Sequence, residues 1–380
     1  MKVLYIGHYK EFGGWGQAAT DYILALDRVG VDVVCRNITL TRDKPDVSAR
    51  ILELEKKDSS DCTVCIQHVL PHHIEATDKF EKNIAFFAGE STSIKHLPWF
   101  DHLQLVDQVW VPNSDLKGFL DSDGLGVDVR VVPHTADLNK FKKPYDKFRI
   151  DYTENKFKFY YIGDVNARKN IDTIITCFNS EFDKYEDVCL ILKVNKFGVD
   201  PETLTKELDS QFSAVKSSMR LYKDIKEYPK EVIIANRMTE DQLCSLHSTC
   251  DCFIAPSRGE AWSIPSFDAM VFGNTPVVSN FGGTKDFVDG SNWRTGHKIK
   301  GTYSVCKYPD PAFPDLFTGR EFWFQPCEKQ IRDQMRTSFN SWKKDPIAYK
   351  SKNQAAGTKR AEKYSYENIG KLMKETLSEQ

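Results

Sequence analysis

The sequence predicts an α/β protein of two halves, each a parallel β-sheet covered by helices. Short apolar runs alternate with longer amphipathic stretches, the pattern of buried parallel strands joined by crossover helices. That pattern occurs twice along the 380 residues, a length that accommodates two domains of ordinary size. Between the two occurrences, residues 137–154 are rich in charge and contain Pro144, as a linker would be. We therefore expect domains over residues 1–150 and 151–345, followed by a helical segment over residues 346–380.

In the first half, residues 3–6 read as a buried strand, and a glycine loop follows. Tyr22, Ile23, Leu26 and Val29 then recur at helical spacing, and residues 31–35 form the next strand. Further strands are expected at 62–68, 84–87, 108–111 and 129–132. The second half opens with strands at 157–162, 188–194 and 232–235. An apolar strand at 252–255 leads into a polar loop, Pro265 starts a helix, Gly273 ends it, and 275–279 resumes as a strand. Residues 361–377 read as an amphipathic helix. Residues 309–323, with Pro309, Pro311, Pro314, Phe313, Phe317, Phe322 and Trp323, read as a long irregular excursion.

Composition narrows the function classes. Hydrophobic residues at 41% and charged residues at 28% describe a soluble globular chain. A net charge of −2 gives no overall pull toward nucleic acid or an anionic membrane. Local clusters remain, one of Lys140, Lys142, Lys143, Lys147 and Arg149, and one of lysines and an arginine over residues 343–363. Solvated faces are their ordinary reading, and they leave a peripheral membrane contact open. No apolar run approaches the roughly 18 to 20 residues that span a bilayer, so no transmembrane segment is expected. The apolar core of residues 1–7 is too short for a signal peptide. Ten cysteines, several inside apolar runs, suit reduced core residues and hence the cytoplasm.

Cys62-Thr-Val-Cys65 with His68, His72 and His73 offers zinc-type ligands. A strand over 62–68 would send Cys62 and Cys65 to opposite faces, so no metal site is expected. Gly14-Trp-Gly16-Gln17-Ala-Ala matches a dinucleotide fingerprint, yet its glycines come about six residues after the strand and the next strand ends at Cys35-Arg36 without an acid. A dinucleotide-dependent oxidoreductase is thus a distant alternative.

The most informative stretch is Pro256-Ser-Arg-Gly-Glu260-Ala-Trp-Ser-Ile-Pro265-Ser-Phe-Asp268-Ala-Met-Val-Phe-Gly273-Asn-Thr-Pro276-Val-Val. It places two carboxylates eight residues apart across a loop-to-helix junction. Amides at a helix start favour an anionic or oxygen-rich ligand, and a carboxylate accepts hydrogen bonds from sugar hydroxyls. An N-capped helix with a solvated acid on either side is the structural alternative.

This stretch resembles the C-terminal signature of retaining glycosyltransferases of family 4, the glycosyl transferases group 1. The resemblance implies the GT-B fold, in which two Rossmann-like, doubly wound parallel-sheet domains face a cleft and the C-terminal helix crosses back to the first domain. It implies that Glu260 contacts the donor sugar, with Ala261, Trp262, Ser263 and Ile264 alongside. Asp268 stands where the family has a glutamate that binds ribose, one methylene shorter. Gly282-Gly283 followed by Asp286 resembles the family's Gly-Gly-x-x-Glu. In Tyr161-Ile-Gly-Asp164-Val-Asn-Ala-Arg168-Lys169-Asn170, Lys169 falls on the family lysine that holds the donor diphosphate. Asp164 stands in place of the family arginine, and Arg168 is the expected substitute for its charge, with a solvated residue at a helix start as the alternative. Gly14 and Gly16 would lie under the diphosphate with Gln17 as a side-chain contact, and Arg237 and Met238 belong to the loop whose backbone reads the base. Glu260, Lys169 and Arg168 are the expected catalytic set.

On the acceptor side, residues 84–94 and 106–114 resemble a branch of the family in which a strand ends in an acid, here Glu90. Glu90 is assigned to acceptor binding, against capping of the amides of residues 91–93. His68 and His134 are placed on the same side, each with a structural hydrogen bond as the alternative reading. The expected function is retaining transfer of a hexose or pentose from a nucleoside diphosphate sugar, UDP- or GDP-linked, to a hydroxyl of a glycan, a lipid-linked sugar, a protein or a modified nucleobase. No cofactor and no metal are expected: Asp121-Ser-Asp123, the pair of acids spaced for a metal, falls in a glycine-rich turn at 121–126. A catalytically silent nucleotide-sugar-binding protein is an alternative, resting on Asp268 and Asp164, as is a transferase acting on a modified DNA base.

Overall fold

The computed structural model describes residues 1–41, 45–307 and 317–379. Residues 2–131 build one six-stranded sheet from β1 (Lys2–Gly7), β2 (Asp32–Asn37), β3 (Val64–His68), β4 (Lys82–Phe86), β5 (Gln108–Val111) and β6 (Asp128–Val131). All pairs are parallel, in the order β2-β1-β3-β4-β5-β6. The connecting helices are α1 (Gly14–Arg28), α2 (Ala49–Glu55), α3 (Trp99–Leu103) and α4 (Ser114–Asp123).

The second sheet contains β7 (Phe157–Asp164), β8 (Val188–Asn195), β9 (Glu231–Ile234), β10 (Cys252–Ala255), β11 (Thr275–Ser279) and β12 (His297–Ile299). It too is all parallel, in the order β12-β11-β10-β7-β8-β9. Its helices are α5 (Ile171–Glu181), α6 (Pro201–Met219), α7 (Glu240–Thr249), α8 (Ile264–Val271) and α9 (Gly283–Phe287). Central strands are apolar on both faces because helices cover both: Val188 through Val194 on β8 are all buried. Each strand order reverses once, between β1 and β3 in the first sheet and between β7 and β10 in the second. Such reversals open a crevice at the carboxyl ends of the strands.

An antiparallel hairpin, β13 (Gly301–Val305) with β14 (Phe322–Pro326), follows. Helices α10 (Glu328–Lys344), α11 (Pro346–Ala361) and α12 (Tyr366–Ser378) complete the chain. Helix α11 packs on α8, and its Tyr349 Oη donates to Thr275 Oγ1 of β11 at 2.7 Å. Helix α12 crosses back onto α1 with Ile369, Met373 and Leu377 buried, as expected of this architecture. No helix among the described residues is long and apolar enough to cross a membrane.

Four local expectations are corrected. The strand expected from Cys62 begins at Val64, so alternation does not reach Cys62, and both cysteines join one cluster with Leu4 and Val34. Among the described residues, no group of histidines, cysteines or carboxylates is arranged to hold a metal ion. The expected helix at 361–377 is divided: α11 runs through Ala361, a turn of 3-10 helix follows, and Ser365 caps α12 by accepting from the Asn368 amide at 3.2 Å. Asp121 and Asp123 lie in the last turn of α4, where Asp123 accepts from Ser93 Oγ and the amides of Ile94 and Lys95. Phe322 and Trp323 belong to β14 and not to an irregular excursion, while Pro309, Pro311, Phe313 and Pro314 lie outside the described residues.

Candidate active site

Residues just beyond the carboxyl ends of strands in the two sheets meet one another. Asn113, capping α4 after β5, donates from Nδ2 to the Ala261 carbonyl at 2.8 Å. Ser114 bonds Asp286 through both its amide and its hydroxyl, at 2.7 and 2.6 Å. Asp115 accepts from the Gly282 amide at 3.0 Å and pairs with Lys285 at 2.5 Å. Arg237 stacks 4.6 Å over the ring of Phe12, which precedes the glycine loop. The cleft between the sheets is therefore lined by loops that hold each other across it. Gly259 shows how close they come: a Cβ there would lie 2.0 Å from the Glu90 carbonyl oxygen.

At the reversal between β7 and β10, the structure brings four expected site residues together. Lys169 Nζ is 2.6 Å from Glu260 Oε1, which also accepts from Ser257 Oγ at 2.8 Å. Arg168 Nη1 donates to the Gly259 carbonyl at 2.7 Å and stands 3.0 Å from Glu90 Oε1 and 3.7 Å from Glu260 Oε2. Glu260 is 7% exposed and Arg168 and Lys169 about 15%, so these are not the solvated ends of loop residues. Burial pushes the Glu260 carboxyl up, but the charges of Lys169 and Arg168 outweigh it and hold the group below its usual range. Two mostly buried cations are thus balanced by two carboxylates.

The loop carrying the cations is fixed by its own side chains. Asn166 accepts the Lys169 amide at 3.0 Å, and Asn170, in the left-handed region at φ 60°, donates to the Pro256 carbonyl at 3.0 Å. Arg258, which sequence reasoning passed over, bonds the Ala167 carbonyl at 2.5 Å and Gln325 at 3.1 Å. Its position two residues before Glu260 was the only signal available. Ser263, at φ 74°, turns the chain into α8 and pairs its hydroxyl with Ser266 Oγ at 2.7 Å. A residue with a side chain in that conformation is strained, and such strain gathers at ligand-binding turns.

Asp268, on α8, is buried rather than solvated. Its Oδ2 accepts from Lys140 Nζ at 2.9 Å, while Oδ1 is buried with no hydrogen-bond partner among the described residues. Burial raises its pKa, and Lys140 opposes the rise without cancelling it. Trp262 turns its indole into the core against Phe267, Phe287 and Tyr364, and Ile264, at the start of α8, remains half-buried at the cleft with Ala261. Arg237 is exposed and Met238 packs partly on the core.

On the first-sheet side, the glycine loop opens α1 as expected, but Gly16 has a different reason to be glycine. A Cβ there would lie 1.8 Å from the Glu11 carbonyl oxygen, so Gly16 is required for close packing of its own loop. Gly14 faces open space instead. Gln17 donates to both oxygens of Asp21 at 3.0 Å. Asp21, which the sequence did not single out, also accepts from Tyr366 Oη at 2.5 Å and lies 3.4 Å from His134 Nε2. His68 ends β3 but is turned inward: Nδ1 shares a hydrogen bond with Tyr5 Oη at 2.8 Å and the ring stacks on Phe86. Burial lowers its pKa to about 3, with His8 and His134 adding to the effect, so the ring is neutral. Glu90 meets Arg168, while Asp123 accepts from Ser93 Oγ and the amides of Ile94 and Lys95.

Residues 142–300 match the family model described as Glycosyl transferases group 1. A glycogen synthase of Bacillus cereus is 26% identical over 124 residues, 33% of this chain and 26% of that protein. The glycogen synthase of Bacillus anthracis is 25% identical over 124 residues, with the same shares. The chain thus spans about a quarter of the length of the curated relatives it matches. Among solved structures, Anabaena Alr3699/HepE in complex with UDP-glucose superposes with a TM-score of 0.65 at 14% identity, covering 100% of this chain and 99% of that one. The Escherichia coli trehalose-6-phosphate protein bound with UDP-2-fluoro glucose gives 0.67 at 10% identity, covering 100% and 99%. Sucrose-phosphate synthase from Thermosynechococcus elongatus gives 0.65 at 12%, covering 99% and 98%. At such identities the likeness shows the fold, and the fold is the expected GT-B architecture of two facing parallel-sheet domains.

Proposed function

We propose that this chain is a retaining glycosyltransferase that moves a sugar from a nucleoside diphosphate sugar to a hydroxyl acceptor without a divalent metal. The observation that carries the reading is the Lys169–Glu260 pair beside Arg168, at the strand-order reversal of the second sheet. The matched family segment, residues 142–300, contains all three residues. Two of the structural neighbours hold UDP-sugars, which favours a UDP-linked donor here. We place the domain boundaries at 1–150, 151–345 and 346–380, which puts the three residues in the nucleotide-sugar domain.

In this reading the donor diphosphate lies against Arg168 and Lys169, and the amides opening α8 and the glycine loop at Gly14 complete its cradle. Glu260, released from Lys169 as the phosphate takes over the ammonium, accepts hydrogen bonds from the donor sugar hydroxyls. Asp268 receives the ribose, and the loop at Arg237 and Met238 lies along the base. The acceptor hydroxyl enters from the first-sheet side, where Glu90 lies, with His68 and His134 as buried structural groups of that side. The bond from the anomeric carbon to the leaving phosphate oxygen breaks, and the bond to the acceptor oxygen forms on the same face. The acceptor proton passes to the leaving phosphate, whose charge Arg168 and Lys169 stabilise.

The test is nucleoside diphosphate release from a panel of UDP-, GDP- and ADP-sugars in EDTA, comparing the wild type with Glu260→Ala and Lys169→Ala. We expect release from one donor, abolished by both substitutions, with the anomeric configuration retained in the product by NMR. Silence across the panel, with no thermal stabilisation by any nucleotide, would withdraw the assignment. Inversion in the product would overturn the mechanism alone, as loss of activity in EDTA with recovery in Mn2+ would overturn its metal independence.

A further inference from the structure

Asp268 presents an asymmetric carboxylate. Lys140, in the segment joining the two sheets, donates to Oδ2 at 2.9 Å, and Oδ1 is left buried without a partner among the described residues. Lys140 is held from several directions. Its amide donates to the Asp137 carbonyl at 3.3 Å, and its carbonyl accepts from Tyr145 Oη at 2.8 Å. Its ammonium stands 5.0 Å over the Phe141 ring and 3.7 Å from Glu240, the first residue of α7. The side chain is only 11% exposed, so its contact with Asp268 is not a solvent-loosened surface pair. A buried acceptor left unpaired is costly, so Oδ1 gains when a hydroxyl reaches it.

We propose that Lys140 is a positioning residue for nucleotide binding, committing Asp268 Oδ2 so that Oδ1 alone receives a single ribose hydroxyl. The proposal rests on the donor site described above. A carboxylate whose two oxygens both face a ligand grips a vicinal diol through two hydrogen bonds, whereas Oδ2 of Asp268 is turned to Lys140 in the linker and Oδ1 is left for the ribose. Lys140 also joins α8 to the start of α7, so the ribose contact and the loop preceding Glu240 are aligned by one ammonium. The linker between the sheets thereby becomes part of the nucleotide site.

The experiment is calorimetric titration with the nucleoside diphosphate that the donor panel selects and with its 2′-deoxy and 3′-deoxy analogues. For the wild type we expect one analogue to bind about tenfold more weakly and the other to bind as the parent, since tenfold corresponds to one hydrogen bond of about 1.4 kcal/mol. In Lys140→Met the discrimination should fall below about threefold and parent binding should weaken. Lys140→Arg, which keeps a donor, should restore part of both. Equal losses for both analogues in the wild type would mean a two-oxygen grip and overturn the proposal without any variant having to fold. Unchanged discrimination in a folded Lys140→Met would overturn it as well. Normal wild-type binding in either case leaves the donor site standing, whereas absence of nucleotide binding would remove both.

Discussion

The guanidinium of Arg168 lies 3.0 Å from the carboxylate of Glu90, although the two belong to loops of different sheets. Glu90 thus occupies the cation on which the proposed mechanism places a phosphate. Two anions then compete for one guanidinium, and removing the Glu90 charge favours the phosphate. Glu90→Gln should therefore bind nucleoside diphosphate severalfold more tightly by calorimetry. Weaker binding would show instead that Glu90 supports the bound state.

Gly259 has no room for a methyl group against the Glu90 carbonyl. Gly259→Ala should force the two loops apart, lower stability by about 1–3 kcal/mol as overpacking does, and reduce transfer more than fold content. Gly118→Ala is the matched control, because a Cβ there meets nothing within 4 Å on an ordinary stretch of α4. That substitution should raise stability by about 0.5–1 kcal/mol through helix propensity. Equal melting curves for the two variants would contradict the close contact at Gly259.

His68 makes a pH prediction with a defined sign. Its folded pKa of about 3 lies below the unfolded value of about 6.5, so the unfolded chain binds the extra proton first. Its contribution is fully present above about pH 6.5 and is lost as pH falls toward 3. His68→Phe, which keeps the aromatic packing, should flatten urea midpoints measured from about pH 6.5 to about pH 4 by up to one proton. An unchanged slope would mean that His68 protonates without cost.

Local chemistry made much of this structure readable. Pro265, Gly273 and the apolar run at 275–279 marked the start and end of α8 and all of β11, because caps and buried strands are written in neighbouring residues. Glu260 and Lys169 were legible through a spaced pattern. Asp21 and Lys140 were not, because a polar residue on a helix or in a charged linker reads as solvated until distant segments cover it. The partners of Asp21 come from residues 17, 134 and 366, and the partner of Lys140 lies 128 positions away. Cys62 misled because alternation along a strand holds only where the strand has begun.

The docking of α12 on α1 has a consequence for synthesis. Tyr366 reaches Asp21, 345 positions away along the chain. At translation rates of about 5–20 residues per second, α1 waits roughly 20 to 70 s on the ribosome before its covering helix exists. During that interval the face carrying Ala25, whose carbonyl Gly370 later approaches, is exposed to solvent or to chaperones. Helix α1 is therefore complete only once a segment 345 positions further along the chain has been made.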